Sequence, residues 1–128
     1  MAIRIVRLGT PRIEGEGIRI GTVRRPPRGV PKSRYSADDW FDVWLPNLAP
    51  SPALVDAARE STGTASWRRF VSRYKAEMAR PENARVLAVL AALSRQTDFS
   101  VGCYCEDERR CHRSVLRGIL KAHDATLS

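Results

Sequence analysis

The chain has 128 residues, 43% of them hydrophobic and 28% charged, values that suit an ordinary soluble domain and exclude a fibrous or low-complexity chain. No apolar run reaches the ~18 residues a membrane span requires, and the amino terminus MAIRIVRLGT lacks a secretory signal pattern. Lys and Arg total 22 against 14 Asp and Glu, a formal charge of +8 carried almost wholly by arginine, which points to anionic partners.

All three cysteines lie in the last quarter of the chain, an odd number that argues against a secreted disulfide framework. A cytoplasmic protein with reduced thiols and no membrane association is therefore expected. The length suits one domain over residues 1–128.

Ile3, Ile5, Val6 and Leu8 form a β-type run stopped by Gly9-Thr10-Pro11. Ile18, Ile20 and Val23 alternate with polar or small residues as a half-buried strand does. A hairpin is the expected pairing of these two strands. Between Arg24 and Ser36, prolines at 26, 27 and 31 forbid helix interior and central strand. That loop carries Arg24, Arg25, Arg28, Lys32 and Arg34. Asp38 to Leu45 is rich in aromatics and reads as packed, with core positions expected for Trp44, Trp67 and Phe70.

Ser51-Pro52 offers an N-cap and an N1 proline for a helix to about Glu60, broken by Thr62-Gly63-Thr64. Trp67, Phe70, Val71, Tyr74 and Met78 share one stripe of a second helix, and Pro81 opens a third. Thr97 to Cys103 reads as a central strand, and about Cys111 to His123 as a final helix. The expected fold is α/β, a mixed or mostly parallel open sheet with helices packed on it.

The strand-to-helix junction Gly102-Cys103-Tyr104-Cys105-Glu106-Asp107-Glu108-Arg109-Arg110-Cys111-His112-Arg113-Ser114 concentrates the chemistry. Ligand sites of open α/β sheets lie at the carboxyl ends of strands, and helix N-termini present unpaired N–H groups to anions. Four readings compete. A metal set of Cys103, Cys105, Cys111 and His112 lacks the two-residue knuckle of structural zinc sites, so neither metal nor cofactor is expected. Cys103 and Arg109 have the spacing of a phosphatase loop, but Glu106, Asp107 and Glu108 would repel its anion. Plain packing explains much, because His112 aligns with Leu116 and Ile119, and Cys111 with Val115, on an inward stripe, leaving Arg113 and Arg117 solvated. The fourth is an anion or phosphate-ester pocket. There His112, Cys111 and Cys103 are the catalytic candidates, the first as general acid/base and the cysteines as nucleophile or pocket wall. Arg24, Arg28, Arg113 and Ser114 are candidate anion ligands, with Asp42 available to orient a histidine.

Several motifs extend along the chain. Cys103, seven residues, then Cys111-His112-Arg113-Ser114 resembles the carboxy-terminal signature of the family called domain of unknown function 488. Arg24-Arg25-Pro26-Pro27-Arg28-Gly29 resembles its Asp-Arg-Leu-Trp-Pro-Arg-Gly element, and Asp42-Val43-Trp44-Leu45 with Leu48-Ala49-Pro50-Ser51 is similar to its Asp-Leu-Trp-Leu and Leu-Ala-Pro-Ser run. Trp67, Phe70, Arg73, Tyr74 and Glu77 resemble its Trp–Phe–Arg-Tyr–Glu helix. Val23 stands where the family has an acid and Pro26 where it has a tryptophan, while Cys105 falls where many relatives carry an acidic or neutral residue. The resemblance implies an α/β fold and a pocket joining the arginine loop to the Cys-His-Arg turn. It implies no particular reaction, so enzyme and non-enzyme remain open. The favoured function is a pocket for a small anionic ligand; the alternatives are a nucleic-acid-binding surface and a non-catalytic interaction domain.

Overall fold

The computed structural model describes residues 1–60, 63–105 and 111–128. In chain order the strands are β1 (Ile3–Arg7), β2 (Ile18–Gly21), β3 (Val43–Trp44) and β4 (Phe99–Cys103). The α-helices are α1 (Pro52–Glu60), α2 (Thr64–Met78), α3 (Pro81–Ser94) and α4 (His112–Ala122). Helix starts follow the local chemistry: the Ser51 hydroxyl accepts the Leu54 N–H at 3.3 Å, and prolines open α1 and α3. None of the described helices is long and apolar enough to cross a membrane.

The four strands form one sheet in the order β1-β4-β2-β3, with every neighbouring pair parallel. The fold is α/β. β4 is buried along its whole length, as a central parallel strand should be. The expected hairpin of the first two strands does not form. β4 lies between them, so that Phe99 pairs with Ile3 on one side and with Ile18 on the other. Alternating apolar residues identify a strand but not its neighbour. The connection contains Gly9, Gly15 and Gly17, all at positive φ, and carries the chain back so that β2 runs in the same direction as β1. At Gly17 a Cβ would also collide with the Asp98 carbonyl, so only glycine fits that crossing.

The sheet faces differ. On one face Ile3, Phe99 and Val101 join residues of all four helices, including Leu54, Tyr74, Leu87 and Leu116, in the main core. On the other face Ser100 and Arg19 meet a buried ionic cluster instead of helices. The Arg19 guanidinium donates to Glu16 from Nε at 2.8 Å and from Nη2 at 3.0 Å, and its Nη1 donates to the Thr10 and Asp39 carbonyls, both at 2.8 Å. Asp42 accepts two bonds from Arg12 and one from the Arg19 backbone N–H. These contacts bind the loops between the first three strands onto the sheet. The chain end covers the outer edge: the Ile3 N–H donates to the Thr126 carbonyl, and Ile3 pairs with Leu127 in parallel sense.

Candidate functional site

β4 ends at Cys103 and α4 begins at His112, with Cys111 in extended conformation as its N-cap. The end of β4 and the cap of α4 meet sulfur to sulfur. Cys103 and Cys111 are buried free thiols with their Sγ atoms 2.8 Å apart, while Cys105 is free and exposed. Cys111 Sγ lies 3.6 Å from Nδ1 of His112. On the far side of that ring, Nε2 lies 2.8 Å from the carbonyl oxygen of Thr22, just past the end of β2. A carbonyl can only accept, so Nε2 holds the ring proton and Nδ1 turns its lone pair to the thiol. Tyr74 stands edge-on to the imidazole at 5.6 Å, and its hydroxyl donates to the Leu48 carbonyl at 2.6 Å. Sheet and helix α2 thus fix the ring.

Burial lowers the His112 pKa to about 4, so the imidazole is neutral at physiological pH. It is then a base toward the Cys111 thiol, not a reservoir of positive charge. Among the sulfurs, hydrogen bonds from Cys103 and Cys111 hold the Cys105 thiolate far below the usual range, helped by the nearby Arg113. The same bond to Cys105 drives Cys103 far upward. Cys111 is pushed up to about 11: its bond with Cys103 acts downward, but its bond to Cys105 and burial prevail.

Arg113 does not take the solvated position considered for it. It is 4% exposed, because α4 turns it under the junction, where Nη2 donates to the Cys105 carbonyl at 2.5 Å. Its Nε is buried without a hydrogen-bond partner among the described residues, a cost a native site rarely carries without reason.

A cavity of about 1050 Å³ opens above this cluster. Cys103, Cys105, Cys111 and His112 line one part of it, Arg24, Arg25, Pro26, Pro27 and Arg28 another, and Trp67 and Phe70 of α2 a third. The structure thus brings together five of the sequence candidates: Cys103, Cys111, His112, Arg24 and Arg28. Arg24 is partly engaged, donating to the Pro50 and Ala49 carbonyls at 3.0 and 3.2 Å, whereas Arg28 is exposed. Three candidates lie elsewhere. Arg113 sits behind the Cys105 backbone, and Ser114 turns its hydroxyl onto the Cys111 carbonyl at 2.9 Å. Asp42 is bound to Arg12, Ser36 and the Arg19 N–H, and orients no histidine. Glu106, Asp107, Glu108, Arg109 and Arg110 lie outside the described residues. Phe70 is buried and Trp67 stacks on it, as expected of core residues, but Trp44 is 43% exposed with its indole N–H on the Val23 carbonyl.

Residues 3–124 match the family DUF488-N3a, described as the active DUF488-N3 subclade. The chain belongs to that family. The match takes in the whole sheet, the arginine loop and the Cys-His-Arg turn, so every element of the cavity lies within the DUF488-N3a domain. No curated protein and no solved structure matches the chain.

Sequence reasoning missed one contributor to the DUF488-N3a cluster and gave two others no part in the pocket. Thr22 acts through its carbonyl, which no side-chain pattern reveals. Tyr74 was visible as a member of an apolar stripe and of the Trp–Phe–Arg-Tyr–Glu element. Cys105 entered the metal set on its two-residue spacing from Cys103, but the strand ends at Cys103, so the strand face does not position it.

Proposed function

We propose that this DUF488-N3a protein is a cysteine-dependent enzyme whose cavity takes a small anionic substrate. The observation that carries the reading is the shared lining: loop arginines and a thiol–imidazole cluster face one hollow at the carboxyl ends of β2 and β4. The family description, an active subclade, supports an enzymatic role. Arg28, exposed, and Arg24, whose two carbonyl bonds leave donors to spare, supply the positive field for the substrate's anionic group.

The roles follow from the local geometry. Cys105 is the exposed sulfur and carries the charge, so it is the nucleophile. Its sulfur forms a bond to the electrophilic carbon or phosphorus of the substrate, and the leaving group departs with the bonding pair. Cys103 and Cys111 donate S–H bonds to the thiolate beforehand. His112, neutral with Nδ1 toward Cys111, orients that thiol within the cluster. Trp67, Phe70, Pro26 and Pro27 supply an apolar wall for the rest of the substrate.

Two alkylating agents of similar shape test this reading. Iodoacetate carries a negative charge and iodoacetamide none, so their rate ratio reports the field at the thiolate. The folded, metal-free protein is expected to favour iodoacetate more than the urea-denatured chain does, with modification at Cys105. Arg28→Ala should reduce the iodoacetate rate roughly two- to fivefold, as expected for one partly screened charge, and leave iodoacetamide unchanged. A folded protein with the selectivity of the denatured chain would sink the proposal.

A further inference from the structure

We infer that Cys103, Cys105, Cys111 and His112 form a tetrahedral binding site for a borderline-soft metal ion, zinc above all. Sγ of Cys103, Sγ of Cys111 and one ring nitrogen of His112 all lie within 4.8 Å of one another, and all three residues are buried. Cys105 lines the same cavity outside that 4.8 Å group and must swing inward to supply the fourth donor.

The distances can be compared with a zinc tetrahedron. Zn–S bonds near 2.3 Å and Zn–N bonds near 2.0–2.1 Å imply an S···N edge of roughly 3.5–3.6 Å and an S···S edge of roughly 3.8 Å. The Cys111 Sγ to His112 Nδ1 distance is 3.6 Å, already that edge. Cys103 and Cys111 at 2.8 Å must spread by about 1 Å. Cys111 caps α4 and Cys103 ends β4, so a side-chain rotation at the cap accommodates the change without moving the sheet. The next layer is also in place. A ligating histidine characteristically donates its other N–H to a carbonyl or carboxylate, and Nε2 of His112 meets Thr22 O at 2.8 Å.

Charge supplies an independent argument. Three thiolates and one neutral imidazole around a divalent ion leave the centre at −1. Arg113 is 4% exposed, donates to the Cys105 carbonyl and has no partner for its Nε among the described residues. A buried cation short of one acceptor, beside a centre of charge −1, completes a neutral unit. Thiolate donors also choose the ion, since calcium and magnesium require oxygen ligands whereas zinc, cadmium and cobalt accept sulfur.

This inference is independent of the anion pocket. Metal binding sends the thiol protons to solvent and occupies the sulfurs, so the loaded and alkylatable states exclude each other. The test uses the full-length reduced chain, cleared of metal with a chelator and titrated with Co²⁺. One equivalent should produce thiolate-to-cobalt charge-transfer absorption and tetrahedral d–d bands, both abolished by stoichiometric Zn²⁺. Cys105→Ser, at an exposed position and so harmless to folding, should weaken binding roughly tenfold or more. Cys111→Ser, with folding checked by circular dichroism, should remove the charge-transfer band. Absence of the band in the wild-type chain, or unchanged affinity in Cys105→Ser, overturns the site. If cobalt fails to bind while the iodoacetate preference holds, the metal inference falls alone; the reverse result removes only the anion pocket.

Discussion

Replacing Glu16 with Ala tests the ionic cluster that holds the helix-free face of the sheet. The Arg19 and Glu16 side chains are 1% and 2% exposed. Glu16 accepts two guanidinium bonds at 2.8 and 3.0 Å and the Ser100 hydroxyl at 2.9 Å. Without the carboxylate, two guanidinium N–H groups and one hydroxyl lose their partners in a site closed to water. Only the Thr10 and Asp39 carbonyls then remain to Arg19. Breaking a buried pair from one side costs about 3–5 kcal/mol. Against a total near 5–15 kcal/mol that is a large fraction. At roughly 4 °C per kcal/mol for a chain of this size, Tm should fall by about 12–20 °C. Urea unfolding followed by far-UV circular dichroism measures it, with a midpoint shift of roughly 2 M. Glu14→Ala, exposed in the same loop, is the control and should stay within about 0.5 kcal/mol of wild type. A Glu16→Ala loss below about 1 kcal/mol would show that Arg19 is solvated after all, and the argument for this face would fail.

Stability should also depend on acid. Burial pushes the Glu16 carboxyl up, but hydrogen bonds from Arg19 and Ser100 bring it below its usual value; Asp42 is lowered in the same way by Arg12, the Arg19 N–H and Ser36. A folded-state pKa below the unfolded one means that the unfolded chain takes up protons first. The contribution is therefore complete at neutral pH and lost as pH falls below about 4.5 and through the folded values. His112 adds to this, since its ring stays neutral in the fold down to about pH 4 while the unfolded chain protonates near 6.5. Urea midpoints should therefore begin to fall below about pH 6.5 and fall more steeply below about 4.5; a rise on acidification contradicts it. Tyr74→Phe removes the donor to the Leu48 carbonyl, held at 2.6 Å, and should cost about 1–2 kcal/mol by the same urea assay. Gly15→Ala and Gly17→Ala form a matched pair, with φ of 79° and 78°. The first meets open space and pays about 1–2 kcal/mol for left-handed backbone. The second adds a collision with the Asp98 carbonyl, so equal losses would disprove the close crossing.

The helices were legible because their signals are local: Ser51-Pro52, Pro81 and the Trp67–Met78 stripe each sit where a helix starts or packs. Strand neighbours were not, because pairing is set by what inserts between, and β4 arrives almost eighty residues after β2. Residues of two distant motifs line one cavity, as the expectation had it for five of eight candidates, yet the partners of the polar groups were not legible. Asp42 reads as a spare carboxylate only until Arg12, thirty residues upstream, claims it. Arg113 reads as solvated on a helical wheel, since a wheel contains no neighbouring turn. Backbone carbonyls of Thr22 and Cys105 hold His112 and Arg113, and main-chain acceptors leave no trace in side-chain composition.

Packing and chemistry are not alternatives at His112. A ring buried at the start of α4, proton on the Thr22 carbonyl and edge against Tyr74, satisfies every demand of a core residue. Those same contacts fix its tautomer and aim Nδ1 at a thiol, which is what a base or a metal ligand requires. The discriminating group is therefore the sulfur cluster. A core could replace Cys103 and Cys111 with small apolar residues and gain dispersion contacts. It does not call for Cys105, exposed at the cavity, nor for a buried guanidinium whose Nε has no partner among the described residues.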